Sequence, residues 1–143
     1  KDYIDDTFLL TYGDGVSDIN INEVVKFHKS HNKIATVTAV RPQSRFGGLK
    51  IKDNSLVESF IEKPEHSESN ESWINGGFFV FNKEIFDYLE NDETILERKP
   101  MENLVKDNEL MSFKHSGFWQ CMDTLRDKEY LDILAKEKEI PWL

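Results

Sequence analysis

Hydrophobic residues in this chain come in short runs broken by glycine, proline and polar clusters, and the period of each run predicts an element. Thr7–Thr11 is a short apolar run that stops at Tyr12-Gly13-Asp14-Gly15, the profile of a buried strand that ends in an acidic residue. Residues 17–22 offer caps for a helix across 23–31, where Val24, Phe27, His28 and His31 recur at helical spacing. Val24 and Phe27 are expected to face the core, with His28 and His31 at its rim. Residues 34–40 are β-branched and nearly continuous, as in a strand buried on both faces. Strand, helix and strand in this order predict a right-handed parallel crossover.

A loop over 41–48 carries Pro42 and Arg45-Phe46-Gly47-Gly48. Residues 49–52 and 56–62 flank Asp53-Asn54-Ser55, which is hairpin chemistry. The second of these strands closes at Glu62-Lys63-Pro64, where proline ends the ladder, and the polar, serine-rich stretch 65–72 reads as an exposed loop. Ile74-Asn75-Gly76-Gly77 then opens a very apolar strand over 78–81. Asn82 is expected to cap a short helix holding Ile85, Phe86 and Leu89, and Pro100 suits the first turn of a helix over 101–106. A strand at 110–115, another near Gly117-Phe118-Trp119 and a helix over 125–138 capped by Thr124 complete the chain. On that last helix Leu125, Tyr130, Leu131 and Leu134 are expected to form the apolar side. These elements predict an α/β protein with a central, mostly parallel sheet.

At 143 residues with ten Phe, the chain can bury a real core within one modest domain. A net charge of -9 argues against a nucleic-acid surface, which needs clustered Lys and Arg. Its single cysteine, Cys121, excludes an intrachain disulfide and a Cys-based zinc site, and fits a reducing, cytoplasmic setting. No apolar run reaches membrane-spanning length. The chain opens on Lys1 and enters a core strand almost at once, which predicts a portion of something longer.

Four segments pair small residues with polar ones: Gly13-Asp14-Gly15, Arg45-Phe46-Gly47, Glu62-Lys63-Pro64 with Asn75-Gly76-Gly77, and the stretch from Trp119 through Asp123-Thr124. Two distant aspartates can share one Mg²⁺, which takes a couple of carboxylates and leaves its other positions to water and phosphate. Asp14 and Asp123 are the candidates. Each has a simpler alternative, Asp14 as a solvated Asp-Gly turn and Asp123 as an acidic residue favoured at a helix N-terminus. By strand alternation Glu62 and Lys63 point to opposite faces; they are either a solvated pair at an edge or a hydroxyl acceptor beside a phosphate-binding cation. Asn75 with its glycines is either a turn or a polar surface laid against a ligand. For Trp119 and Cys121 core packing is the simpler role.

Leu10-Thr11-Tyr12-Gly13-Asp14-Gly15, Arg45-Phe46-Gly47-Gly48-Leu49, Glu62-Lys63-Pro64, Ile74 through Val80, and Gly117-Phe118-Trp119-Gln120 with Met122-Asp123-Thr124-Leu125-Arg126-Asp127 together resemble the sugar-phosphate nucleotidylyltransferases. The closer wording is that of a member using CTP and glucose 1-phosphate. The resemblance implies a Rossmann-like nucleotidyltransferase fold and Mg²⁺ held by Asp14 and Asp123. It further implies Gly13 against the nucleotide, Glu62 on hexose hydroxyls, Lys63 on the sugar phosphate, Gly47, Asn75 and Gly76 bordering the hexose, and Arg45 on a substrate loop.

The family's opening segment, Gly-Gly-x-Gly-Thr-Arg, has no counterpart here. Residues 1–143 are therefore expected to be the C-terminal, sugar-phosphate and metal-binding part of a single nucleotidyltransferase domain, with a sheet incomplete at its N-terminal side and no activity alone. A homo-oligomer is expected from the exposed edge this would leave. The implied reaction is CTP with glucose 1-phosphate giving CDP-glucose and diphosphate, as in O-antigen or deoxyhexose biosynthesis. Thymidylyl or uridylyl transfer, or a non-catalytic sugar-phosphate-sensing module, are the alternatives. A metal-dependent glycosyltransferase would usually carry Asp-x-Asp, and Gly13-Asp14-Gly15 supplies one carboxylate.

Overall fold

The computed structural model describes residues 4, 6–42, 48–61, 73–137 and 140–143. At its centre β1 (Thr7–Thr11), β6 (Ile74–Asn82), β3 (Ala35–Val40) and β7 (Leu110–Lys114) lie side by side in that order. As an inner strand, β6 feeds two cores by alternation. Phe79 and Phe81 join Ala35, Ile85 and Leu104 in one, while Val80 meets Ile19 and Val24 in the other. Each fully buried Phe or Leu of this kind contributes about 1.5–3 kcal/mol relative to exposure.

The α/β class holds, but the expected mostly parallel sheet needs correction. β6 runs antiparallel to both β1 and β3, and among the described strands only β3 and β7 pair in parallel. β1 and β3 do run the same way, each opposing β6, yet β6 lies between them. Apolar continuity reports burial and is blind to direction. What reverses β6 is where its chain enters the sheet: residue 74 pairs with the C-terminal residue of β3, and residue 82 with the N-terminal residue of β1.

Between β1 and β3 comes α1 (Ile21–His31), capped by the Asn20 side chain, which accepts from Glu23 N–H. Val24 faces inward as expected. His28 is also only 2% exposed, not at the rim. Buried polar groups need partners, and His28 finds two, Thr36 Oγ1 at 2.9 Å through Nδ1 and Asn82 Oδ1 at 3.0 Å through Nε2. Periodicity could not reveal them because Thr36 and Asn82 arrive from β3 and β6.

Asn82 correspondingly departs from its predicted role. It begins the 3₁₀ helix Lys83–Tyr88, but its side chain makes no cap bond there. It accepts from Thr7 Oγ1 at 2.8 Å and donates to Lys33 O at 3.0 Å. Lys33 N–H in turn donates to His31 Nδ1 at 3.0 Å, so neutral His31 carries its proton on Nε2 and gives it to Thr36 Oγ1 at 2.8 Å. The Thr36 hydroxyl is then the donor to His28 Nδ1, and His28 Nε2–H is the donor to Asn82. A single directed chain thus ties α1, β1, β3 and β6.

The predicted hairpin forms from β4 (Gly48–Ile51) and β5 (Val57–Ile61), with Ser55 at φ 66 in its turn. Pro100 sits buried in the first turn of α2 (Lys99–Lys106). β2 (Gly15–Ser17) and β8 (Trp119–Cys121) pair as a separate antiparallel ribbon. The chain then enters α3 (Leu125–Lys136), where Leu131 is buried but Leu125, expected on the apolar side, is 71% exposed in the first turn. Among the described residues no helix is long and apolar enough to cross a membrane. The polar stretch 65–72 lies outside the described residues.

Candidate functional site

The last residues of β1, the first of β6 and the β2–β8 ribbon meet at one end of the sheet. Tyr12 N–H donates to Gly77 O at 3.0 Å, which carries the ladder one step past Thr11 before the chain turns through Gly13 and Asp14. Gly15 then opens β2 opposite Cys121. Just beyond that pair, Met122 N–H donates to Asp14 O at 2.9 Å. This backbone bond fastens the Asp14 turn to the segment holding Asp123, so the two aspartates predicted from opposite ends of the chain come to one place.

Both aspartates are exposed. Asp123 Oδ2 accepts from Cys121 Sγ at 3.3 Å, a weak thiol bond that leaves most of the carboxylate's acceptor capacity open. Capping of α3 falls to other groups. The Thr124 hydroxyl accepts from Asp127 N–H at 3.2 Å, and the Asp127 carboxylate accepts from Thr124 N–H at 3.0 Å, Thr124 Oγ1 at 2.8 Å and Gln120 Nε2 at 3.1 Å. Asp127, buried and filled by these donors, is a structural cap. Asp123 stands outside that box, directly before the Thr124 N-cap.

The donor set suits a hard cation. Two carboxylates from separate segments are what Mg²⁺ takes from a protein when phosphate and water fill its other positions. Among the described residues no group of three or more His, Cys, Asp or Glu is arranged around a common metal position.

At the head of β6, Asn75 Oδ1 accepts from Gly77 N–H at 2.9 Å, and Trp119 Nε1 donates to Gly76 O at 2.8 Å. Trp119 is half-buried and bridges the ribbon to β6, and Cys121 is half-buried within the ribbon. Gly77 has φ +78, and a Cβ there would lie 3.0 Å from Tyr12 Cδ2, so both backbone shape and ring contact demand glycine. The site therefore joins Gly13, Asp14, Asn75, Gly76 and Asp123. Arg45, Gly47, Glu62 and Lys63 lie outside the described residues.

Tyr12 and Glu97 also belong here, although sequence reasoning singles out neither. Tyr12 Oη donates to Glu97 Oε1 and accepts from Asn75 Nδ2 at 3.5 Å. Burial, then the Glu97 hydrogen bond, push the Tyr12 phenol up to about 12. Its place beside Gly13-Asp14 was a usable signal for Tyr12; Glu97, in an acidic and polar stretch, gave none. At the opposite end of the β1–β6 ladder a depression is lined by Asp6, Asn82, Lys83, Glu84 and Asp87, and it gathers none of the predicted residues.

Residues 1–137 match the family model described as nucleotidyl transferase. The chain is 49% identical over 138 residues to a glucose-1-phosphate cytidylyltransferase of Salmonella typhimurium, a match covering 96% of this chain and 52% of that protein. It is 35% identical over 131 residues to a mannose-1-phosphate guanyltransferase of Gibberella zeae, covering 89% of this chain and 35% of the other. Among solved structures, a Bacillus anthracis chain assigned as a glucose-1-phosphate thymidylyltransferase superposes with a TM-score of 0.62 at 19% identity, covering 92% of this chain and 55% of that one. That likeness concerns the fold. The chain spans about half the length of the cytidylyltransferase that it matches.

Proposed function

We propose, from the premise that this chain belongs to the nucleotidyl transferase family, that within its full-length protein it supplies the sugar-phosphate and metal side of a site joining CTP to glucose 1-phosphate. The observation that carries the proposal is the Met122–Asp14 backbone bond, which brings Asp14 and Asp123 together in a chain similar to a glucose-1-phosphate cytidylyltransferase. A phosphate oxygen of glucose 1-phosphate attacks the α-phosphorus of CTP. The bond from that phosphorus to the bridging oxygen breaks, giving CDP-glucose and diphosphate. The nucleophile is already an anion, so no covalent enzyme intermediate is required and the work is alignment of two polyanions.

Asp14 and Asp123 hold Mg²⁺, which when bound offsets the repulsion between the two substrates. Lys63 adds a cation on the sugar phosphate, and Glu62 accepts from hexose hydroxyls. Asn75 and Gly76, with Gly47, border the hexose; Gly13 lies against the nucleotide and Arg45 on a substrate loop. Homo-oligomerisation is part of the proposal. Light scattering of the full-length protein that stays monomeric at rising concentration would count against it.

The likeness to a guanyltransferase favours one second reading, the same chemistry with another base. Diphosphate release from glucose 1-phosphate, assayed in the full-length protein with CTP, UTP, GTP and dTTP in turn, decides between them. Release with CTP is the expected result. Release with another nucleotide alone moves the base assignment, and release with none removes the transfer reaction.

A further inference from the structure

The Tyr12 hydroxyl joins two polar side chains that the chain keeps far apart. It donates to Glu97, which lies between the 3₁₀ helix and α2, and accepts from Asn75 Nδ2 at the head of β6. At 3.5 Å the second contact is weak by itself, but Asn75 is also held from its other side. Its Oδ1 accepts from Gly77 N–H, so the amide nitrogen must turn toward Tyr12. The Tyr12 ring is equally constrained, tilted on Phe79 with centroids 5.6 Å apart and seated in the space that a side chain at Gly77 would need.

Each group in this series has a fixed direction. The Tyr12 hydroxyl is the donor to Glu97 and the acceptor from Asn75. Its proton goes to the carboxylate and its lone pair remains for Asn75. Asn75 is exposed, and among the described residues its second Nδ2 proton has no partner. The direction of that remaining proton is set from both sides of the planar amide, by Gly77 N–H at Oδ1 and by the Glu97-held Tyr12 hydroxyl at Nδ2.

We propose that Glu97 is a positioning residue, which through Tyr12 sets the amide of Asn75 to donate to an oxygen of a sugar phosphate. The proposal rests on Asn75 bordering the hexose, as given above. It predicts that sugar-phosphate affinity depends on a carboxylate in a segment carrying none of the other site residues.

The test uses the full-length protein with Tyr12→Phe, Glu97→Ala, Glu97→Gln and the Tyr12→Phe/Glu97→Ala double variant. Loss of one such hydrogen bond corresponds to about a tenfold change in affinity. Tyr12→Phe and Glu97→Ala are each expected to raise KM for glucose 1-phosphate by about that factor. KM for the nucleotide and kcat should stay within about twofold, and the double variant should be no worse than either single one. Glu97→Gln, whose amide oxygen still accepts from the phenol, should restore most of the loss. Additive effects, equal rises for both substrates, or no rescue by Gln would overturn the proposal.

One further measurement separates this proposal from the transfer reaction itself. Calorimetric binding of glucose 1-phosphate beside a non-reacting CTP analogue needs no turnover; if Tyr12→Phe binds as the parent does, or if the parent does not bind, positioning is overturned. Unchanged sugar-phosphate affinity in Glu97→Ala overturns positioning while leaving nucleotidyl transfer intact.

Discussion

The two ends of the β1–β6 ladder are built from similar parts and put them to opposite uses. Each end has an asparagine on β6, Asn82 at one and Asn75 at the other, and each has a hydroxyl from the β1 segment, Thr7 or Tyr12. At the Asn82 end the amide oxygen accepts from Thr7 and His28, the amide nitrogen reaches Lys33 O, and the chain continues through Thr36 and His31. That network closes on itself beneath α1. At the Asn75 end the amide is oriented but only partly engaged, and Asp14, two residues past Tyr12, makes no side-chain hydrogen bond among the described residues. Groups satisfied internally hold the fold together, whereas ligand chemistry needs groups that are fixed yet not used up.

The strongest way to separate the two ends is Asp14→Asn. In the full-length protein it should lower diphosphate release by on the order of 10³-fold, the scale of losing a charge that stabilises a transition state, with little change in melting temperature. A parallel loss of stability would show instead that Asp14 is structural. The reciprocal change is His28→Ala, which removes a buried ring and leaves Thr36 and Asn82 short of a partner. Denaturant unfolding should show a loss of about 2–4 kcal/mol, while activity per folded molecule is kept.

A gentler probe of the closed end is pH. Burial, followed by the neighbouring His28 and Lys33, lowers the pKa of His31 below 6.5. The unfolded chain therefore binds more protons than the folded one as pH falls below that value. The contribution of neutral His31 is complete above about pH 6.5 and is lost as pH drops through the folded pKa. Stability by urea unfolding should accordingly decline between neutral and mildly acid pH, and His31→Ala should be weaker overall but flatter over that interval. The smallest effect concerns neither end. Thr38 Oγ1, buried on β3 where the register with β6 slips between Val37 and Ala39, has no hydrogen-bond partner among the described residues. Thr38→Val should raise stability by about 1 kcal/mol, and a loss on thermal unfolding would show that the hydroxyl is satisfied by water.

Much of this was written in local pattern. Asn20 and Thr124 cap α1 and α3, Pro100 opens α2, and 35–40 forms a strand buried on both faces, because capping geometry and apolar period are properties of a few adjacent residues. Asp14 at a strand end with glycine on either side is local in the same sense. His28 and Asn82 were misplaced because a histidine at the margin of an apolar stripe is read as rim until its partners are known. Leu125 was misplaced because helical spacing does not say which neighbour, if any, covers the first turn.

By itself, then, the sequence determined where elements begin and end, which of them are buried, and the residue types available for chemistry at Gly13-Asp14, Asn75-Gly76 and Asp123. Only the tertiary structure decided that β6 runs against both neighbours, that Asp14 and Asp123 share one end of the sheet, and that Glu97 reaches Asn75 through Tyr12. The reason is the range of the forces involved. Period, capping and turn chemistry act within a few residues, whereas strand direction and side-chain meeting points depend on contacts between segments that share no local pattern.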